Sequence, residues 1–505
     1  MINTVSSAMF CLCTLCLALA THAHAAPPAF PGAVGQGAAA TGGRGGDVYV
    51  VTNLRDYDPD KGEEKIPGSL RHAVRSAEGP RTIVFNVSGP ISLRAPLEIR
   101  KSDLTIAGQT SPGGVTVWGY PTEIGGAKNV IVRYLRCRTG DFHARGSKAP
   151  GGAGDMDPSS ANAVNIGRCE RVILDHVSAS WGLDETLSVT HCRDVTIQNC
   201  IIAESFNESL HSKGAHGYGS LIRGELTPED QAKNVGGYTL FRNLWAHHRA
   251  RNPSIGGQQK LDKGQSESDR RRTDVNIVNN VVYDWGDQAT HRSGDGDVRI
   301  NLVGNAYVCG PAKRAKYFFS ERTPAQTQVF QRGNWQDLDQ NGEHDGELAA
   351  TKDQVLASFQ HFGEGDELRS DGEPFPFYGT VADAEIPADS AYAAVLSSVG
   401  ASSPRDAADQ RVIDTVTART GGLVNSQEQF RTADGKMPGI DDLATTQRPA
   451  DFDADADGMA DEFERSHGLD PKNPDDRNGT TLSQVGYTNL EVYLNGLVND
   501  PTASH

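Results

Sequence analysis

Arg171-Val172-Ile173-Leu174-Asp175-His176-Val177-Ser178 sets a polar residue before a short run of branched apolar side chains and closes on a polar cluster. The same unit stands at Asp103-Leu104-Thr105-Ile106, Asn129-Val130-Ile131-Val132, Asp194-Val195-Thr196-Ile197, Asp274-Val275-Asn276-Ile277 and Asp297-Val298-Arg299-Ile300. Runs this short and this rich in β-branched residues suit buried strands, whereas helices need longer amphipathic patterns. Val172 to Val195 and Val275 to Val298 share one spacing, close to one solenoid coil. Stretched spacings elsewhere imply loops that project from one face. Asn199, Asn243, Asn279, Asn280 and Asn305 fall just after such strands, where Asn suits tight turns. The pattern predicts an all-β chain, a right-handed parallel β-helix running from Ile83 to Val308. A β-sandwich is the main rival, but it would show more two-residue hairpin signals.

Outside that span the composition changes. Residues 1–25 carry an apolar run, Ala8 to Ala20, followed by Ala23-His24-Ala25, which suits removal of a secretory signal. The run is too short for a membrane span, so an exported, soluble monomer without a membrane partner is expected. Thr41-Gly42-Gly43-Arg44-Gly45-Gly46 lacks the GK[ST] of a phosphate loop and precedes a strand, so it reads as a structural turn. Ser69 to Val74 reads as a short capping helix. Asp389 to Val399 and Arg405 to Ala418 place Tyr392, Val395, Leu396 and Val399, then Val412, Ile413 and Val416, at helical spacing. These helices are expected to pack on the solenoid, giving a β-helix domain over 26–444 with a helical extension.

Thr445 to Ala450 reads as a linker into an acidic tail, 445–505. There Asp453, Asp455, Asp457, Asp461 and Glu464 occupy positions 1, 3, 5, 9 and 12 of a loop with Gly458 at position 6. That spacing is the EF-hand-type calcium loop. Asp337 to Leu348 is a weaker loop of the same kind, without an acid at its twelfth position. A formal charge of -17 excludes a general nucleic-acid binder, which shows a basic footprint. A polyanionic substrate would need a locally basic cleft or bound cations. Five cysteines remain after the signal, an odd number without a zinc-like CxxC pair, and they read as small buried side chains.

The polar clusters lie between Asp175 and Pro253. Asp175-His176-Val177-Ser178, Asp184-Glu185-Thr186, His211-Ser212-Lys213-Gly214, His216-Gly217-Tyr218-Gly219 and Arg251-Asn252-Pro253, with Asn279-Asn280-Val281-Val282-Tyr283 further on, resemble the pectate lyases of polysaccharide lyase family 1. The similarity runs from about Pro31 to Gly310. It implies cleavage of de-esterified homogalacturonan, an acidic polysaccharide, by calcium-assisted β-elimination. Removing the proton at C5 builds negative charge on the adjacent carboxylate, which a cation can stabilise.

By that resemblance Arg251 aligns with the family's catalytic arginine base, a role at odds with the high guanidinium pKa. The alternative keeps Arg251 as a carboxylate clamp and gives the proton to Lys213, His247 or His248. Arg249, His211, His247, His248 and Trp181 are candidates for holding substrate, Trp181 by stacking on sugar. Asp184 matches a calcium-ligand position, while Asn162 and Ser188 stand where acids are common. Glu185, Asp155 or Asp157 would compensate. Gly256 stands where many members carry another Arg, and Arg249 would cover for it. Asp175 and His176, a polar pair at a strand end, read as loop supports. The rival functions are a β-helical hydrolase of the same polymer and a non-catalytic carbohydrate-binding solenoid.

Overall fold

A computed structural model describes residues 26–498 apart from 259, 293–295, 313–316, 322–325 and 360–365. The signal expected over residues 1–25 lies outside the described residues. Glu170–Asp175, Ser178–Ser180 and Val164–Gly167 are three strands of one coil, and they define the first, second and third faces of a prism. In the next coil Leu187–Gln198 runs along the third face and turns onto the first, and Ile201–Ala203 continues on the second. Apart from the antiparallel end strands Glu347–Leu348 and Thr446–Gln447, the pairings along these stacks are parallel, so the fold is a parallel β-helix. Val172 lies opposite Val195, so that spacing is the register of successive coils, whereas Val275 lies opposite Ile300 and Val298 opposite Thr273, a register two residues off the one the spacing implied. Inward residues such as Val172, Leu174, Ala179, Val189 and Ile197 form one continuous core.

From Tyr134 onward each coil turns from the first face to the second through one residue in the left-handed region. Tyr134, His176, Asn199, Arg242 and Asn279 have φ between 51° and 56°, and Gly304 and Gly333 take the same place at 62°. Asn243, Asn280, Asn305 and Asn334 follow four of these corners and stack in a buried ladder. The Asn280 Oδ1 accepts from Asn243 N at 2.9 Å and from Asn243 Nδ2 at 3.0 Å, and the Asn305 Oδ1 takes both Asn280 donors at 2.9 Å. The ladder satisfies corner amides that the strands cannot reach. Asn280→Ala strands several of these groups in the core and should cost about 1–3 kcal/mol, read as a lowered urea midpoint.

The helix Leu70–Arg75, capped by the Ser69 side chain on His72 N, buries Leu70, Ala73 and Val74 in the core at the first coils. The helices Ala388–Ser398 and Ala407–Thr417 lie on the outside of the second face. Val395, Val399, Val412, Ile413 and Val416 there meet Ile201, Leu244, Val281 and Val308. Buried ions reinforce this docking: Arg138 reaches Asp406 at 2.7 and 2.9 Å and Asp409 at 2.9 Å. Thr446–Gln447, within the stretch read as a linker, pairs antiparallel with Val87 and Ser88. Beyond it, Met459, Leu490, Tyr493 and Leu494 pack on Val84 and Ala107 of the first face. All five cysteines are buried free thiols.

Candidate active site

The chain leaves the second face at Ser180, Ala203 and Ala246 and re-enters the third at Leu187, Leu221 and Ser254. The loops between carry Asp184 and Glu185, then His211 to Tyr218, then Arg249 and Arg251. Isolated bridges link Glu185 to Tyr218 and Tyr218 to Ala250, which keeps the three loops in register at one edge of the prism. The loops touch closely there. A Cβ on Gly219 would lie 2.5 Å from the Arg251 carbonyl oxygen, so only glycine fits.

Arg251 sits at the centre of this edge. Its guanidinium bonds the Glu185 carboxylate and lies 4.0 Å above the Tyr218 ring. Burial pulls its pKa below the ordinary arginine value, and the charge of Asp184 opposes that shift. Arg249 pairs with Asp287 at 2.5 Å and donates to the Ala215 carbonyl at 2.8 Å. Lys213 is exposed. On the other side of Tyr218 stand two imidazoles. His216 lies 4.0 Å from the Tyr218 ring and stacks on His211 at 3.7 Å and 6°. The Asp184 Oδ1 lies 2.8 Å from His216 Nε2 and 3.5 Å from His211 Nε2. Burial and the neighbouring His216 lower the His211 pKa, favouring its neutral ring.

Three substrate-contact candidates are corrected by their burial. His247 is held inside by Asp284 at 2.7 Å and Thr415 at 2.8 Å. His248 accepts or donates to Ser205 Oγ at 2.6 Å and reaches the Ile202 carbonyl at 2.9 Å, and burial pushes its pKa down to about 3. Trp181 is 1% exposed and donates to Glu204. None presents a face to a polysaccharide. Asp175 and His176 are internal supports: Asp175 binds Arg133, Gln198 and Asn199, and His176 stacks on Tyr134. Tyr218, His216 and Asp287 join the edge without having been singled out. The sequence signal for the first two was the His216-Gly217-Tyr218-Gly219 motif.

The metal candidates divide. In the cleft, Glu185 is taken by Arg251, and the Asn162 Oδ1 accepts the Glu185 N–H at 3.0 Å. Asp157 accepts Ser159 N and pairs with Arg145, while Asp155 pairs with Lys61 and Tyr120. Among the described residues Asp184 is thus grouped with two imidazoles and no second carboxylate. Calcium takes six to eight oxygen ligands, so these residues do not fit it, and the reading of Glu185, Asn162 and Asp157 as cleft ligands is corrected.

The tail does fit. Carboxylate oxygens of Asp453, Asp455 and Asp457 lie within 4.8 Å of one another, as do those of Asp457, Glu464 and Asp476. Asp455 Oδ2, Asp457 Oδ2 and both Glu464 oxygens are buried without a hydrogen-bond partner. Burial raises Asp453 to about 6, Asp457 to about 7 and Glu464 to about 8, and the neighbouring carboxylates add to the shift. Asp461 is the exception: it accepts Ala454 N and pairs with Arg465, and Asp476 from the following turn takes a place in the group instead.

No protein-family model matches the chain. Over 494 residues it is 35% identical to the probable pectate lyase C of Neosartorya fischeri, spanning 97% of this chain and 98% of that protein. The probable pectate lyase C of Aspergillus fumigatus is 35% identical over 496 residues, with the same shares. Among solved structures, the cedar-pollen allergen jun a 1 aligns at a TM-score of 0.48 and 19% identity, over 73% of this chain and 92% of that one.

Proposed function

Because the chain belongs to the pectate lyases, and is thereby a polysaccharide lyase, we propose that it cleaves de-esterified homogalacturonan by β-elimination at the edge built around Arg251. The observation that carries this reading is the clustering of Arg249, Arg251 and Lys213 on one loop edge of an otherwise acidic protein. Proton removal at C5 breaks the C5–H bond, forms the C4–C5 double bond and expels the C4 oxygen, which takes up a proton. Negative charge grows on the uronate carboxylate as the C5 proton leaves. A guanidinium fork facing that carboxylate lowers the barrier because its charge is already in place. Arg251 is the group for this position. Two assignments of the base remain, Arg251 itself and Lys213, since the burial of His247 and His248 removes both from the choice. The Glu185 pairing favours a charged Arg251, and thus the clamp role, with Lys213 as the base. A hydrolase would want two carboxylates flanking the bond, whereas Glu185 and Asp287 are each tied to an arginine.

The test is digestion of polygalacturonate followed by ultraviolet absorbance. A lyase gives unsaturated uronides that absorb. New reducing ends without absorbance would instead identify a hydrolase, and neither signal would leave a binding protein.

The amino-terminal stretch supports export of the enzyme to where pectate lies. Calcium belongs in this reading at the tail, held by Asp453, Asp455, Asp457, Glu464 and Asp476. There it would neutralise a buried acidic cluster that docks on the first face, a structural role. At a calcium concentration about a hundred times Kd, that linkage adds about 2.7 kcal/mol of stability. Chelation should therefore lower Tm, and Asp457→Asn should abolish the calcium-dependent part of Tm. An unchanged Tm on chelation would contradict it.

A further inference from the structure

The cleft holds as many acids as fixed cations. Arg249, Arg251 and Lys213 reach it, while Asp287 and Glu185 bind the two arginines and Asp184 stands beside the imidazoles. A polyuronate would bring one further negative charge per sugar to this near-neutral edge, on a chain with a formal charge of -17. Binding such a polymer calls for a further cation, and the donor atoms decide which.

Asp184, His211 and His216 offer one ligand atom each, all within 4.8 Å of one another. The two rings are buried and stack in parallel at 3.7 Å, so one of them must turn for both Nε2 atoms to point at one ion, and the Asp184 side chain is 23% exposed. Two imidazoles and one carboxylate suit borderline divalent ions of the manganese-to-zinc series, whereas calcium and magnesium want oxygen alone. The oxygen donors that could have shifted the balance are engaged or inward: Asn162 is bonded to Glu185 N, and Ser188 is buried in its strand. We propose that Asp184, His211 and His216 form a binding site for a borderline divalent transition-metal ion, open on its exposed side to the carboxylate of the bound uronate. The proposal rests on the lyase reading and deepens it: the cation of this cleft is held by histidines, and calcium is confined to the tail.

Loading carries a structural consequence. In this structure His211 Nδ1 accepts the Lys213 N–H at 3.0 Å, which puts the ring proton on Nε2. A metal-bound imidazole keeps its proton on the other nitrogen and donates it outward. The ion therefore requires the ring proton to move to Nδ1 and the Lys213 N–H to leave it. Residues 212–214 are exposed, with Ser212 held by Ser159 and the Gly214 N–H by the His211 carbonyl, so the shift is confined to the Lys213 peptide and repositions Lys213 in the cleft.

The probe is Co2+ added to the full chain after exhaustive chelation. One equivalent should give a visible absorption band distinct from that of the hydrated ion. The band should vanish in Asp184→Asn and His216→Ala and persist in Glu464→Gln, which touches only the tail. Melting curves on the same samples, with His211→Gln as a second imidazole variant, separate loss of a ligand from loss of the fold. Stripped enzyme should lose about a hundredfold in lyase rate and regain it with Mn2+, Co2+, Ni2+ or Zn2+, not with Ca2+ alone. A wild-type protein without the cobalt band, or a rate restored by calcium alone, overturns the site and leaves the lyase reading standing. A cobalt band that depends on His216, with no unsaturated product under any ion, upholds the site and overturns the lyase reading.

Discussion

Arg251→Lys should lower kcat at least about a hundredfold with little change in KM. The substitution keeps the charge and loses the planar fork. That fork does two things in the structure: it bonds Glu185 and sits 4.0 Å over the Tyr218 ring, so the guanidinium is held from two sides before substrate arrives. A flexible ammonium reproduces neither, and the lost electrostatic preorganisation is worth about 10²–10³ in rate. An interaction made only in the transition state lowers kcat and kcat/KM together, which is the signature to look for. Lys213→Ala discriminates the two assignments of the base. A dead Lys213→Ala beside an impaired Arg251→Lys gives the proton to Lys213 and the clamp to Arg251. A weakly affected Lys213→Ala with raised KM returns the base role to Arg251. Near-normal turnover in Arg251→Lys would remove Arg251 from the chemistry.

Arg138→Met should destabilise the protein by about 3–5 kcal/mol, read as a fall in urea midpoint and Tm. Arg138 is fully buried and its guanidinium divides between Asp406 and Asp409, with a further bond to the Gly439 carbonyl at 2.7 Å. Removing one partner of a buried ion group leaves the others charged and unpaired, which costs far more than the intact group contributes. Arg136, 3.2 Å from Asp406, relieves that acid in part. Asp409 has less relief: burial and Asp406 already raise its pKa, and beyond Arg138 it keeps the Ser178 hydroxyl as a hydrogen-bond donor. Both acids belong to the start of the helix Ala407–Thr417, so the damage should appear first as loosening of that helix from the second face. Pairing Arg138→Met with Asp409→Leu should recover part of the loss. A shift below about 1 kcal/mol in the single variant would show that the group is not holding the extension.

The fold was legible because a parallel β-helix writes its register into the chain. Val172 and Val195 pair because one coil separates them, and that interval could be counted without knowing where any side chain points. The apolar spacing of Val412, Ile413 and Val416 likewise marked the face that docks on the second sheet. Loop polarity carried less. His247, His248 and Arg249 are neighbours in sequence, yet Asp284, Thr415 and Ser205 draw the first two inside, while Asp287 holds Arg249 at the edge. Those partners come from other coils and from the helical extension, so local sequence could not tell inward from outward. The same reason separates the two ion sites. In the tail loop most ligands are a few residues apart, and spacing sufficed for Asp453, Asp455, Asp457 and Glu464; Asp476 enters only because the chain folds back. In the cleft, Asp184 meets His211 and His216 from the next coil, and Glu185 is claimed by Arg251 from the coil after that. Sequence determined which residue types reach the edge, and the stacking of coils decided which of them face one another and which charges are already spent.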